Sequence, residues 1–308
     1  MKTLLTLCAF LLPGLALADI TVLDDTGARV SLKAPAQRIV SLAPHATENL
    51  FAAGAGERLV GAVDYSDFPE AALRIPRVGG YSRVDMEAIV ALRPDLVVAW
   101  QSGNAAGSVE KLKSLGLTVY TTQPDRLGDI PTSIERLGQL AGTEKTATQA
   151  ADVFRKRLAS LQQRHAALPA VPLFYQVWHR PLLTMGGEQI ISDVVRLCGG
   201  QNVFAKLPGK APAISIEAVL AANPEVIVAS GMGRNAPVGL DDWRQWKQMK
   251  AVAQGNLFFI PSDLMQRPTP RLLDGAEALC RHLETARGRR TSADKGHADH
   301  SGTNQRRP

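Results

Sequence analysis

The chain has 308 residues, of which 45% are hydrophobic and 21% charged. This is an ordinary globular composition with room for about two domains, and it excludes a disordered or collagen-like chain. The 35 Lys+Arg against 29 Asp+Glu give +6, but residues 287–308 hold six of the basic side chains and residues 1–18 another, leaving 28 basic against 27 acidic over residues 19–286. A nearly neutral body argues against nucleic acid as a partner, which calls for a cationic surface.

Residues 1–18 read as a signal peptide: Lys2, an apolar run over 4–12, a Pro13-Gly14 break, then Ala16-Leu17-Ala18 as an A-x-A cleavage signal. The run is too short to span a bilayer, so an exported protein beginning near Asp19 is expected. Cys8 is preceded by Leu7 rather than by the small residues a lipid anchor needs.

Strands are expected over 38–42 and 59–63, with a helix over 47–53 between them. Tyr65 follows the second strand, and Tyr81 lies in a Gly-rich loop. A short helix over 86–92 ends before Pro94. The continuous apolar run 96–99, followed by Trp100, suits a parallel strand covered on both faces.

Residues 143–168 form a long stretch without internal Gly or Pro. Thr143 stands at its start as a cap and Glu144 in its first turn. It reads either as a strut joining two lobes or as an ordinary lobe helix. Further strands are expected over 173–177, 226–229 and 257–260, and a helix over 190–197 stops at Cys198-Gly199-Gly200. Cys198 and Cys280 form an even pair in an exported chain, as a disulfide or as two buried thiols. Residues 287–308 are nearly devoid of apolar side chains and are expected to be a disordered basic tail, including His297 and His300.

The body carries an internal duplication. EAIVALRPDLVVA over 87–99 aligns without a gap with EAVLAANPEVIVA over 217–229, at a constant offset of 130. Strands alternating with helices imply an α/β fold: two Rossmann-like lobes with mainly parallel sheets, residues 19–142 and 169–286, joined by one long interlobe helix. Ligands of such lobes sit beyond the carboxyl ends of the strands. Tyr65, Tyr81, Trp100 and Trp178 stand at strand ends or helix starts, where flat rings suit a large, partly apolar ligand; core packing is the alternative for each. Asp263 and Arg267 follow the last strand, as polar cleft contacts or as a local ion pair.

Catalytic motifs are thin: the sequence has no G-x-S-x-G, H-E-x-x-H or phosphate loop, so no enzyme and no cofactor are expected. Gly231-x-Gly233-x-x-Ala236 is followed at once by Pro237 and Gly239, which leaves no helix to receive a pyrophosphate. His45 reads as a structural or cleft-edge residue, and His179 beside Trp178 as a metal ligand or a cleft-lining residue. Glu87 and Glu217 each begin a helix, where a carboxylate favours the dipole. Their pseudo-symmetric placement also suits two equivalent cationic sites on a dimeric partner.

RIVSLAPHATE, YSDFPEA, EAIVALRPDLVVAWQSGN, RLCGGQNVFA, SIEAVLAANPEVIVASG and PSDLMQRPTPRLLDGAEALC, spread over residues 37–286, resemble periplasmic substrate-binding proteins of the helix-linked, limited-hinge type that serve iron-siderophore, haem and cobalamin importers. YSDFP, AWQSGN and the two cysteines resemble the cobalamin-binding branch. The resemblance implies a monomer in the periplasm that captures cobalamin or a related corrinoid as transported ligand and delivers it to a dimeric ABC permease of the inner membrane. Tyr65, Tyr81, Trp100, Asp263 and Arg267 match its ligand contacts, Cys198 and Cys280 its disulfide, and Glu87 and Glu217 its permease-docking pair. Tyr81 stands where Trp is usual, Ala211 replaces a second-lobe Trp, and Trp178 takes a Phe role in shifted form. The related alternative is a haem or ferric-siderophore binder with Tyr81, His45 or His179 as axial ligand.

Overall fold

A computed structural model describes residues 19–231 and 239–301, with side-chain placement to residue 290. The expected signal segment with Cys8 and most of the Gly231-x-Gly233-x-x-Ala236 stretch lie outside the described residues, as do the His297 and His300 side chains.

Two four-stranded sheets, parallel throughout, form the two lobes. The first contains, in spatial order, Leu59–Ala62, Ile39–Ser41, Leu96–Trp100 and Val119–Thr122; the second contains Gly200–Asn202, Val171–Gln176, Val226–Ala229 and Leu257–Phe259. In both lobes the chain visits the sheet in the order second, first, third, fourth strand. The duplicated segment persists down to the backbone: Arg93 and Asn223, equivalent in the two copies, adopt left-handed φ values of 45° and 42°.

The apolar runs form strands because both faces of each sheet are covered. Leu96 and Val98 join the large core with Leu50 and Ile130, while Val97 and Ala99 face the other way onto Ile89 and Leu112. In the second lobe Val226 and Val228 share the large core with Leu173, whereas Ile227 and Ala229 pack with Phe174 and Trp243. Period-2 alternation between two apolar layers is the signature of a buried parallel strand.

The helix Glu144–His165 spans 22 residues, roughly 33 Å at the α-helical rise. It packs on Asp129–Ala141 of the first lobe and on Ile190–Leu197 and the terminal helix of the second. Its close seat depends on Gly138, where an added Cβ would lie 2.2 Å from that of Ala147. Thr143 occupies the cap position, but its side chain makes no capping hydrogen bond; the first turn is dressed by Glu144 alone. The helix Pro44–Ala52 begins three residues earlier than its sequence pattern indicates, because Pro44 is suited to a first helical turn.

The segment expected as a basic tail begins inside a helix where the structure describes it. The terminal helix runs Leu272–Ser301, through the boundary expected at residue 287. Arg287 donates to the carbonyls of Pro169 (2.9 Å), Cys198 (2.8 Å) and Gly199 (3.1 Å). Arg289 donates to the Gly255 carbonyl (2.7 Å), and Arg290 to the Ala170 carbonyl (3.0 Å) and the Glu225 carboxylate. Long cationic side chains reach back to backbone carbonyls of the lobe and tie down a segment that offers little apolar surface.

Cys198, at the end of Ile190–Leu197, bonds Cys280 of the terminal helix, closing 82 residues. Replacing both by Ala is expected to lower the unfolding free energy by about 4 kcal/mol on the loop-entropy model, read as a lower urea midpoint, with the fold retained in near-ultraviolet circular dichroism.

Candidate functional site

In the first lobe, crossovers diverge between Ile39–Ser41 and Leu96–Trp100. The crevice beyond this switch point is where an open α/β sheet receives ligand. His45 and Trp100 stand at the two strand ends, with imidazole and indole edge to face at 5.2 Å. Tyr81 leans on the same indole at 5.9 Å. A cleft of about 650 Å³ opens there, lined by His45, Tyr65, Tyr81 and Trp100 of the first lobe and by Asp263 and Arg267 of the second.

The rings are placed by backbone. Asn104 accepts from the Trp100 N–H (2.6 Å), and its amide donates to the carbonyls of Leu42 (2.8 Å) and Tyr81 (2.7 Å). One buried side chain thereby fixes two rings and a strand end. Gly103 leaves room for the indole: a Cβ there would lie 1.8 Å from a Trp100 ring atom. Tyr65 has a left-handed φ of 64° and a 62% exposed side chain. A non-glycine residue in that region costs about 1 kcal/mol or more, and the ring it projects gains little packing in return. The ring is therefore held at the cleft surface rather than in the core.

The polar wall is an ion cluster that joins the lobes. Glu48, with a side chain 3% exposed, accepts from Arg267 (3.0 Å) and Arg271 (2.6 Å) across the cleft. Arg267 also holds Asp67 (2.6 Å) and Asp263 (3.0 Å). Arg271 stacks 3.8 Å over the Phe68 ring, and Asn49 donates to the Pro268 carbonyl at 3.0 Å. Burial raises the Asp67 carboxyl, but the Arg267 hydrogen bond and charge outweigh it and hold the group below the ordinary range. Two more exposed pairs also link the lobes: Lys210 with Asp125, and Arg126 with Asp193 at 3.4 Å.

Four of the expected first-lobe and second-lobe contacts, Tyr81, Trp100, Asp263 and Arg267, thus meet in one cleft with Tyr65 at its mouth. Trp178 is not brought there. It begins a two-residue strand, Trp178–His179, paired with Leu182–Leu183, and its indole N–H is turned back onto the Arg180 carbonyl at 3.0 Å. His179 and Glu217 line a separate pocket of the second lobe. Ala211 is exposed and supplies no ring. Glu87 and Glu217 are both exposed at the starts of Met86–Ala91 and Ile216–Ala222, below matching caps: Asp85 accepts from Ala88 N–H (3.0 Å) and Ser215 from Ala218 N–H (3.2 Å). Its own backbone N–H and the Ser215 hydroxyl keep the Glu217 carboxyl below the usual range.

Glu48 and Asn104 are the contributors that sequence reading passed over. A carboxylate among Ala46, Thr47, Asn49 and Leu50, all buried, was the available signal for Glu48; the Gly103-Asn104 turn directly after a strand was the signal for Asn104. Among the described residues, no group of three or more His, Cys, Asp or Glu is arranged to hold a metal. Nor is any helix there long and apolar enough to cross a membrane.

Two similar α/β lobes, bridged by one long helix and facing each other across an aromatic cleft, define a ligand-capturing binding protein. The chain belongs to the periplasmic binding protein family, whose model matches residues 39–264. It is 38% identical over 257 residues to the vitamin B12-binding protein of Vibrio campbellii, covering 83% of this chain and 92% of that one. It is 39% identical over 253 residues to the vitamin B12-binding protein of Vibrio cholerae, with 82% and 91% covered. The solved periplasmic vitamin B12 binding protein of Vibrio cholerae superposes with a TM-score of 0.77 at 38% identity, over 82% of this chain and 98% of that one. A periplasmic haem-binding protein from Pseudomonas aeruginosa gives 0.70 at 25% identity, over 80% and 91%.

Burial, reinforced by the charge of Arg267, pushes the His45 imidazole down to about 3. Its Nε2 makes no hydrogen bond among the described residues. The folded protein resists a proton that the unfolded chain accepts near the ordinary histidine value, so this residue removes stability as pH falls from about 6.5 toward 3. The loss at about pH 5 is on the order of 2 kcal/mol. Urea unfolding of a His45→Asn variant is expected to show a smaller drop in midpoint than the parent between neutrality and that pH.

Proposed function

We propose that this protein captures cobalamin or a related corrinoid in the interlobe cleft, in the periplasm, and hands it as a monomer to an ABC importer of the inner membrane. The observation that carries the reading is the cleft itself. Tyr65, Tyr81 and Trp100 present ring faces to a space of about 650 Å³, and Asp263 and Arg267 offer polar groups at its far wall. A large, flat ligand rimmed with amides would gain apolar burial from the rings and orientation from the few polar contacts. The near-full-length similarity to vitamin B12-binding proteins supports this choice of ligand.

The alternative ligand classes are haem and ferric siderophores. Of the three side chains considered as axial ligands, His45 is packed beneath Trp100 and His179 lies in the separate pocket, so Tyr81 alone stands free at the cleft. Calorimetric titration of residues 19–308 with cyanocobalamin is expected to give saturable one-to-one binding, weakened roughly tenfold or more by Trp100→Ala as a stacking face and its buried area are lost. A haemin isotherm with a Soret band lost in Tyr81→Phe, and no cobalamin binding, would reverse the assignment.

Delivery is assigned to the exposed, equivalent glutamates. Glu87 and Glu217 present one carboxylate per lobe, which suits two like cationic sites on a dimeric permease. The double variant Glu87→Ala, Glu217→Ala is expected to impair uptake while leaving cobalamin affinity unchanged; equal loss of both would remove the docking role.

A further inference from the structure

The interlobe ion cluster does not balance at the face it turns to the cleft. Glu48 is matched by Arg271, which donates to both of its oxygens at 2.9 and 2.6 Å, and neither of these side chains lines the cleft. Arg267 leans on the same buried carboxylate at 3.0 Å. What remains is Arg267 with Asp67 (2.6 Å) and Asp263 (3.0 Å), one guanidinium between two carboxylates. All three line the cleft.

Their depth decides what a ligand meets. The Arg267 side chain is 14% exposed, whereas those of Asp67 and Asp263 are 44% and 33% exposed. The cation is drawn back among three carboxylates, and two of these stand outermost. His45 adds no charge at neutral pH, because burial and the nearby Arg267 hold its imidazole down to about 3. Burial opposes the ionised form of Asp67, but the hydrogen bond and charge of Arg267 outweigh it, so the group stays a carboxylate at neutral pH. Among the described lining residues, two carboxylates against one guanidinium leave the cleft one negative charge in surplus.

Arg267 donates to one oxygen of Asp67, and a carboxylate has about four acceptor positions. The others suit N–H donors. A primary amide supplies such a donor and brings no charge. A ligand carboxylate in the same place sets lone pair against lone pair and adds a like charge, while the guanidinium beside it is already engaged. Haem meets this wall with two propionates; a corrin rim meets it with amides. We propose that Asp67 is a specificity-determining residue, which together with Asp263 admits ligands rimmed by amides and turns away ligands rimmed by carboxylates. The proposal rests on the interlobe cleft being the ligand site.

The test is calorimetry on residues 19–308 with cyanocobalamin and with its monocarboxylic acids, in which one rim amide is a carboxylate. In the parent, the acid whose carboxylate reaches this wall is expected to bind about fivefold or more weakly than the amide, with the gap narrowing as salt rises. Asp67→Asn keeps an acceptor oxygen for Arg267 and removes the charge. It is expected to close most of the gap by strengthening the acid, while cyanocobalamin affinity stays within about twofold. A merely structural role would shift amide and acid alike and leave their ratio unchanged. Equal affinities for amide and acids in the parent, or a gap that survives Asp67→Asn, overturns the proposal. A haemin titration separates it from the choice of ligand. If haemin binds and cobalamin does not, the corrinoid reading falls, and the charge selection stands only if Asp67→Asn tightens haemin. An unchanged haemin isotherm in that case, or binding of neither ligand, overturns the charge selection as well.

Discussion

A buried carboxylate that only the opposite lobe can neutralise sets the geometry of this protein. Glu48 lies on the first helix of the first lobe, with its side chain 3% exposed, and both of its cationic partners, Arg267 and Arg271, come from the second. Removing one partner of such a pair strands a desolvated charge, at a cost of about 3–5 kcal/mol. The lobes are therefore held in register by electrostatics at one edge of the cleft, and by the long helix Glu144–His165 behind it. Because Arg267 also grips Asp67 and Asp263, the same cluster shapes the polar wall that a ligand would meet.

The aromatic wall depends on a different device. Its rings are positioned by main-chain geometry as well as by packing: Asn104 ties Trp100 and Tyr81 to the strand end at Leu42, Gly103 makes space for the indole, Trp100 rests on the large core, and a left-handed residue projects Tyr65 outward. The ion pairs between the lobes also differ among themselves. Glu48 and its arginines are largely shielded from solvent, whereas Arg126, paired with Asp193, and Lys210, paired with Asp125, are far more exposed and so are screened by salt.

The duplication explains both the symmetry and its limits. Each lobe repeats the strand order, the capped helix with its leading glutamate, and the left-handed residue before the proline. Where the copies diverge they place their aromatic residues differently. The short connection after Trp100 keeps that ring in the cleft, while the longer one after Ala229 folds Trp243 and Trp246 into a pocket of the second lobe. Trp178 does not line the pocket that holds the other rings; it sits in a two-residue hairpin with its indole N–H on the Arg180 carbonyl.

The lobes, their buried parallel strands and the connecting helix were legible in the sequence because they follow from local regularities: apolar runs, Pro and Gly boundaries, and a repeat at constant offset. Tyr65, Tyr81, Trp100, Asp263 and Arg267 were legible as candidates because strand ends are where such folds receive ligands. The tertiary structure alone decided which of them meet. It paired Glu48 with Arg271 across 223 residues and gave Asn104 its three backbone partners. It also turned a polar tail into helix by seating Arg287, Arg289 and Arg290 on carbonyls of distant turns. A charge or a hydrogen-bonding group does not announce its partner through spacing. Its role is set by what the fold brings within about 3 Å of it, and that is a property of the packed chain rather than of any window along it.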